Sequence, residues 1–300
     1  TPDVPSIAIL PFENKGAPED DFYAYGISSD LISDVTSAGL IRVASLKDIE
    51  KLEYQELETS ALAKKLFVRY VAQGTLWKMD SIFQLSMEIF DTELSKVIYT
   101  KRWQTNWTDL ATIKDDLSDN ILETLEIEVL RDVEDQIVES NPEAYEYYLR
   151  AGHKYKKRQN EDDIEIAKGL LKKAIELDNN LIEAKLLLGL TYTNMGDFDK
   201  SMKKFSGALE QSGELGDKSG IGKSLNNIGV IYVYKGEYNK AVEYLEKSLH
   251  IKQEIGVKGL ELFTTTHFYL ANKQLGKDYD EQEIHRLIKE DENIEFEINF

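Results

Sequence analysis

Few residues in this 300-residue chain are placed to do chemistry, and their spacing argues against most reactions. Gly222-Lys223-Ser224 has the composition of a phosphate-binding loop. Such a loop needs a glycine five residues before Gly222, where Asp217 stands, and a strand leading into it, where helical sequence runs. The fragment therefore reads as the opening of a helix. The four histidines, His153, His250, His267 and His285, never fall at the i, i+4 spacing that sets two imidazoles on one helix face. Glu19-Asp20-Asp21 reads as the acidic first turn of the next helix, where carboxylates meet the positive end of the helix dipole, rather than as a cation site. Cysteine is absent, which excludes disulfides, thiolate nucleophiles and cysteine metal ligands. No metal, cofactor or catalytic residue is expected.

The aromatic residues offer more. Tyr145, Tyr147, Tyr148 and Tyr155 crowd one short stretch. Tyrosine can bury its ring and keep its hydroxyl in a polar setting, so this group reads as core packing plus a face shared between domains, ahead of a ligand platform. Trp77, Trp103 and Trp107 read as sheet and helix packing.

Two unlike halves must position these residues. Four of the five prolines lie in the first 18 residues, the fifth is Pro142, and the 158 residues beyond it contain none. Continuous helix suits that second stretch, because proline breaks helix interiors. The boundary is expected near 130–142, with domains at 1–130 and 131–300. In the first half, Ser6–Phe12 reads as a buried strand, Asp20–Ala38 as a helix stopped by Gly39, and Ile41–Ala44 as a strand. Leu46–Phe67 reads as helix with a break near Tyr54, and Val68–Met79, Ile82–Phe90 and Val97–Trp103 as strands. Asp109–Val129 closes the half as an amphipathic helix. This β-α-β-α-β-β-β-α order predicts an α/β domain, a mixed sheet covered by helices.

Ser6-Ile7-Ala8-Ile9-Leu10-Pro11-Phe12-Glu13-Asn14, Tyr23-Ala24-Tyr25-Gly26, Asp30-Leu31-Ile32, Val68-Arg69-Tyr70-Val71-Ala72-Gln73-Gly74-Thr75-Leu76 and Phe90-Asp91 occur in an order that resembles the TolB amino-terminal-like domain. The resemblance covers roughly residues 5–128 and departs at Val97–Trp103, where the family often carries a tryptophan-containing strand in a slightly different register. That domain occurs downstream of class III adenylate/guanylate cyclase domains in many bacterial proteins, usually ahead of tetratricopeptide repeats. The resemblance implies a bacterial signal-transduction setting and a cyclase domain upstream, whose paired metal-binding aspartates find no counterpart here. The opening at Thr1, without methionine, reads as a boundary with sequence before it.

The second half repeats. Leu188-Gly189-Leu190-Thr191-Tyr192 runs into Gly196-Asp197-Phe198, and forty residues later Ile228-Gly229-Val230-Ile231-Tyr232 runs into Gly236-Glu237-Tyr238. A fixed period of this size marks stacked helical hairpins, and the pattern resembles tetratricopeptide repeats. Ala174 to Ala208 is 34 residues, the undecorated period, and the 40-residue spacing implies longer helices around Gln211–Ser219 and Gln253–Lys258. About four hairpins form an all-α solenoid, the first irregular around Arg158–Asp162. The last, Leu262–Leu275 with Glu281–Lys289, leads into the alternating apolar residues of Ile294–Phe300. By the resemblance, the first helix of each hairpin lines a concave groove. The inward candidates are Lys156 and Lys157, then Leu186, Leu190 and Asn194, then Asn226, Val230 and Tyr234, and finally Lys273.

Charge narrows the partner. Residues 1–140 carry 13 Lys/Arg against 27 Asp/Glu and the remainder 23 against 28, for a net charge of −19. Phosphate backbones and anionic lipid are repelled, so nucleic acid and membrane surfaces are poor partners. No stretch approaches the roughly 20 apolar residues that span a bilayer. The expected partner is a protein or peptide, acidic or C-terminal, meeting lysine and asparagine in the groove. The expected location is cytoplasmic, and a homo-oligomer is left open. A second reading is small-ligand sensing near the strand ends at Pro11–Asn14 and Ala44-Ser45; a third is an enzyme. One consequence is independent of the partner: Gly229→Leu is expected to force two helices apart and to destabilise the fold by about 1–3 kcal/mol. Thermal and denaturant melts check it, and an unchanged melt would void the repeat alignment.

Overall fold

The computed structural model describes residues 4–38, 41–127, 141–255 and 261–277. In the first half, strands β1 (Ser6–Ile9), β2 (Glu13–Asn14), β3 (Arg42–Val43), β4 (Tyr70–Met79), β5 (Ile82–Asp91) and β6 (Lys96–Asn106) form one sheet. Its order is β3-β1-β4-β5-β6, with β2 also on β4. β1 runs parallel to β3 and β4, whereas β4, β5 and β6 form an antiparallel meander. The sheet is mixed, as expected.

β1 is buried on both faces, which is why it reads as an unbroken apolar run. Ile7 and Ile9 meet helices α1 (Asp21–Ser37) and α4 (Leu110–Thr124) in one core. Ala8 meets α2 (Leu46–Lys51) and α3 (Thr59–Lys65) in another. The expected strand Ser6–Phe12 is shorter than anticipated. The Phe12 amide donates to Ser28 Oγ at 2.8 Å, and the chain then re-enters the sheet as β2, with Glu13 beside Thr75. The predicted break near Tyr54 is a separate turn between α2 and α3.

The second half is helical throughout the described residues: α5 (Pro142–Lys156), α6 (Glu161–Leu177), α7 (Ile182–Asn194), α8 (Phe198–Leu215), α9 (Lys218–Tyr234), α10 (Tyr238–Glu254) and α11 (Glu261–Gln274). Asn141 caps α5 by accepting from the amides of Glu143 and Ala144, with Pro142 at the first helical position. Gly196 and Gly236 turn α7 into α8 and α9 into α10 at φ 72° and 74°, and Gly276 follows α11 at 64°, a left-handed conformation that glycine adopts without strain. Gly189 lies under the Phe205 ring and Gly229 under Leu245; a β-carbon there would sit 2.3 Å and 2.6 Å from those side chains. The small residues at the repeat position are therefore forced by close helix approach. The boundary expected at 130/131, Gly39, Glu281–Lys289 and Ile294–Phe300 lie outside the described residues.

The two halves share a core. One cluster of buried apolar residues runs from Ile7 on β1 through Leu31 on α1 and Leu149 on α5 to Tyr192 on α7. Two carboxylates are sealed reciprocally across the junction. Asp30 of α1 accepts from Tyr145 Oη (2.8 Å) and Tyr148 Oη (2.7 Å) of α5. Glu146 of α5 accepts from Tyr23 Oη of α1 (2.7 Å) and from Trp107 Nε1 (2.9 Å) just beyond β6. Tyr145 and Tyr148 of the tyrosine group thus build the interdomain face.

Burial pushes the Asp30 carboxyl up to about 6; nearby Lys114 and the two hydroxyls offset part of that. Burial would lower Lys114, but Asp34, Glu183 and Asp30 outweigh it and the ammonium is held well above its ordinary range. Because folded Asp30 holds its proton more tightly than the unfolded residue, its contribution is fully present below pH 3.8 and is lost as pH rises through about 6. Asp30→Asn cannot titrate. Relative to that variant, the wild type is expected to lose on the order of 3 kcal/mol between pH 4 and pH 7.5. Urea melts of both proteins at the two pH values test this; parallel pH profiles would refute it.

Candidate binding groove

Helices α5, α7, α9 and α11 pack against one another as well as against their hairpin partners, so they form the inner layer of the solenoid. The repeat pattern implies that these helices line the groove. Its first station, however, is filled by the chain itself. α1 lies along the inner face of α5, with Gly26 set against Leu149; a β-carbon on Gly26 would come within 2.6 Å of the leucine. His153 Nε2 is 3.6 Å from Asp21, and burial holds the imidazole below its ordinary value despite that carboxylate. Lys156 pairs with Glu50 at 3.3 Å, and the Lys157 ammonium sits 5.5 Å above the Tyr25 ring. The two lysines are turned to the α/β domain instead of the open groove.

The sealing continues at the starts of the next inner helices. Lys114 of α4 lies 3.2 Å from Asp34 and 3.9 Å from Glu183, at the start of α7. Near the start of α9, Ser219 Oγ donates to Ser37 Oγ and Lys223 Nζ to Ser33 Oγ, both at 2.9 Å. Lys223 and its neighbours Gly222 and Ser224 are inside helix α9, so the phosphate-loop fragment is helical.

The other candidates divide into floor and rim. Leu186 and Val230 are buried between successive repeats. Asn226 is buried too, and its Oδ1 accepts from Thr264 Oγ1 at 2.8 Å. These three hold the inner helices together and leave no surface for a ligand. Leu190, Asn194 and Tyr234 are exposed, at 38% for Leu190 and 57% for Tyr234. Asn194 Nδ2 donates to Tyr155 Oη at 2.5 Å, and the Tyr234 ring stacks on Phe198 with centroids 5.7 Å apart. Lys273 is exposed on α11.

Leu270 completes the row. It lies forty residues after Val230, as Val230 does after Leu190, and is 36% exposed. Its place in the 40-residue register was the available signal. The strand-end alternative fares differently: Asn14 Oδ1 accepts from the Gly16 amide, and Ser45 caps α2 through the Asp48 amide, so both serve local turns. No group of three or more His, Cys, Asp or Glu suited to a metal occurs among the described residues, nor is any described helix long and apolar enough to cross a membrane.

Residues 180–254 match the family model described as tetratricopeptide repeat. The match covers α7 to α10, so this part of the chain is made of those repeats and, with the α/β domain before it, forms the two-part architecture implied by the resemblance. Among curated proteins, the chain is 23% identical over 193 residues to "Putative adenylate cyclase 3" of Rhizobium meliloti (strain 1021). That similarity covers 63% of this chain and 33% of the relative, so the chain spans about a third of the relative's length. Among solved structures, BtubC (BKLC) from P. vanneervenii is 16% identical with a TM-score of 0.43, covering 62% of this chain and 75% of that one. TolB from Acinetobacter baumannii is 15% identical with a TM-score of 0.32, covering 41% of this chain and 28% of that one.

Gly26→Leu tests the filled first station. It is expected to separate α1 from α5 and to destabilise by about 1–3 kcal/mol, as overpacking of a close helix contact does. Hydrogen exchange should show faster opening of α5 amides; unchanged α5 protection would contradict the contact.

Proposed function

We propose that this chain is a regulatory, protein-binding segment without catalysis of its own, belonging to a larger bacterial nucleotidyl cyclase. The observation that carries the reading is the exposed pair Leu190 and Tyr234 on inner helices of the segment that matches tetratricopeptide repeats, a row that Leu270 continues on α11. The partner is a peptide segment of another protein. Its apolar side chains seat on this row, and its carboxylates meet Asn194 and Lys273. Lys156 and Lys157 bind the α/β domain, so the partner's footprint begins at α7. The cyclase setting draws on the resemblance and on the Rhizobium relative, two-thirds of whose length lies outside the match.

Binding is tested by titrating labelled peptides with alternating apolar and acidic residues and following fluorescence anisotropy. Tyr234→Ala and Leu190→Asp are each expected to weaken binding at least tenfold, about 1.4 kcal/mol or more, without lowering the melting temperature. Equal binding by both variants would remove the groove from consideration. In the full-length protein, a saturating peptide is expected to change cyclase turnover; saturation without any change would separate docking from regulation.

A further inference from the structure

The sheet ends on one side with β3, two residues long, and on the other with β6, eleven residues long and paired among the described strands only with β5. Just past β6, the Trp107 amide donates to the Ser81 carbonyl, which fixes the phase of the antiparallel ladder. Successive residues of such a strand turn their backbone groups alternately toward the partner and away from it. Tyr99, Lys101, Trp103 and Thr105 therefore bond to β5, and the N–H and C=O of Thr100, Arg102 and Gln104 point outward. No described strand uses those outward groups. A register shift between Ile89 and Phe90 ends this regular run at Tyr99.

Open edges invite another strand, and proteins guard them with charge. β6 carries Lys96, Lys101 and Arg102 and no acidic residue. Two copies of β6 meeting edge to edge would set like charges across from one another, which disfavours that pairing. A guard against a second copy works with either sign. The basic sign runs against the 27 Asp/Glu and 13 Lys/Arg of residues 1–140, and it favours an acidic strand. Neighbouring carboxylates do not neutralise it. Glu88, beside Thr100, accepts from Gln73 Nε2, and Asp91, beside Lys96, is held by Arg69 at 2.7 Å. Lys96 and Arg102 are exposed, and neither has an ion-pair partner among the described residues.

The two faces of β6 set a further demand. On the helix side, Tyr99 Oη donates to Asn120 Oδ1 at 2.5 Å, the Lys101 ammonium is 5.1 Å above the Trp103 ring, and both rings are only half-buried. On the opposite side, Thr100, Arg102 and Gln104 stand exposed beside Glu88, Ser86 and Gln84 of β5. We propose that β6 is a docking edge for an extended segment of a partner protein, alternating apolar with acidic residues, which adds as a further strand through Thr100, Arg102 and Gln104. Its apolar side chains cover the Tyr99 and Trp103 rings, and its carboxylates meet Arg102. Alternation sets the register, because a slip of one residue would turn the carboxylates onto the rings. This edge belongs to the α/β domain and is independent of the repeat groove.

Residue-resolved hydrogen exchange of the full chain tests the edge, with a blocked nine-residue peptide alternating valine and glutamate as the probe. In the free chain, the amides of Thr100, Arg102 and Gln104 are expected to exchange at least tenfold faster than those of Lys101 and Trp103. Saturating peptide should slow the first three at least tenfold, and N-methylation of the peptide amides that face β6 should abolish the effect. The wild type should prefer this peptide at least tenfold over one with lysine in place of glutamate. Lys96→Glu combined with Arg102→Glu should reverse that preference, which general damage to β6 would not do. Leu190→Asp, in the groove, should leave the protection of β6 unchanged, so failure of the edge and failure of the groove are told apart. Slow exchange of the outward amides in the free chain would overturn the proposal, and its loss on dilution would assign the edge to a second copy. Outward amides that stay fast at saturating peptide would overturn it as well.

Discussion

Helix α1 is held between two surfaces that belong to different halves of the chain, and the architecture follows from that sandwich. One side of α1 lies on the sheet and α4; the other lies in the inner face of the first repeat helix, α5. A helix buried nearly all round must satisfy its polar groups locally, and α1 carries Asp30 in the middle of the contact. The two tyrosine hydroxyls of α5 answer that carboxylate, as Tyr23 and Trp107 answer Glu146 from the other direction. Removing either donor to Asp30 would leave a buried acceptor short of a partner, which typically costs about 1–3 kcal/mol. The junction is thus specified by paired polar groups inside an apolar contact, and not by apolar area alone.

This arrangement shapes what the solenoid can do. A free stack of hairpins would offer its concave surface from the first inner helix onward. Here α1 and α4 occupy that surface along α5 and reach the starts of α7 and α9. What stays open lies farther along, where Leu190, Tyr234 and Leu270 are exposed at successive inner helices. Because Asp30 holds its proton up to about pH 6, the electrostatic character of the junction changes as pH rises through that value.

Charge is organised in the same spirit. The α/β half is strongly acidic in total, yet among the described residues the long open strand edge of β6 is basic. Net charge discourages polyanions over the whole surface, whereas the like charges along β6 disfavour edge-to-edge pairing with a second copy. A single total would hide that distinction.

Local patterns were sufficient to read the two halves, the mixed sheet, the helical hairpins and the turn glycines from sequence, since strand alternation, helix periodicity and left-handed glycine are properties of neighbours in the chain. The tyrosine cluster was legible as a shared face for a similar reason: four such rings in one helix exceed what one hairpin can bury. Tertiary structure decided the rest. Nothing near Lys156 or Lys157 in sequence reveals that Glu50 and Tyr25 lie opposite them, so they read as groove lysines and are junction lysines. Val230 shares the repeat position of exposed Leu190 and Leu270, but the packing of the next repeat buries it. Which residues of a periodic face remain open depends on contacts between segments far apart in the chain, and periodicity alone carries no information about those.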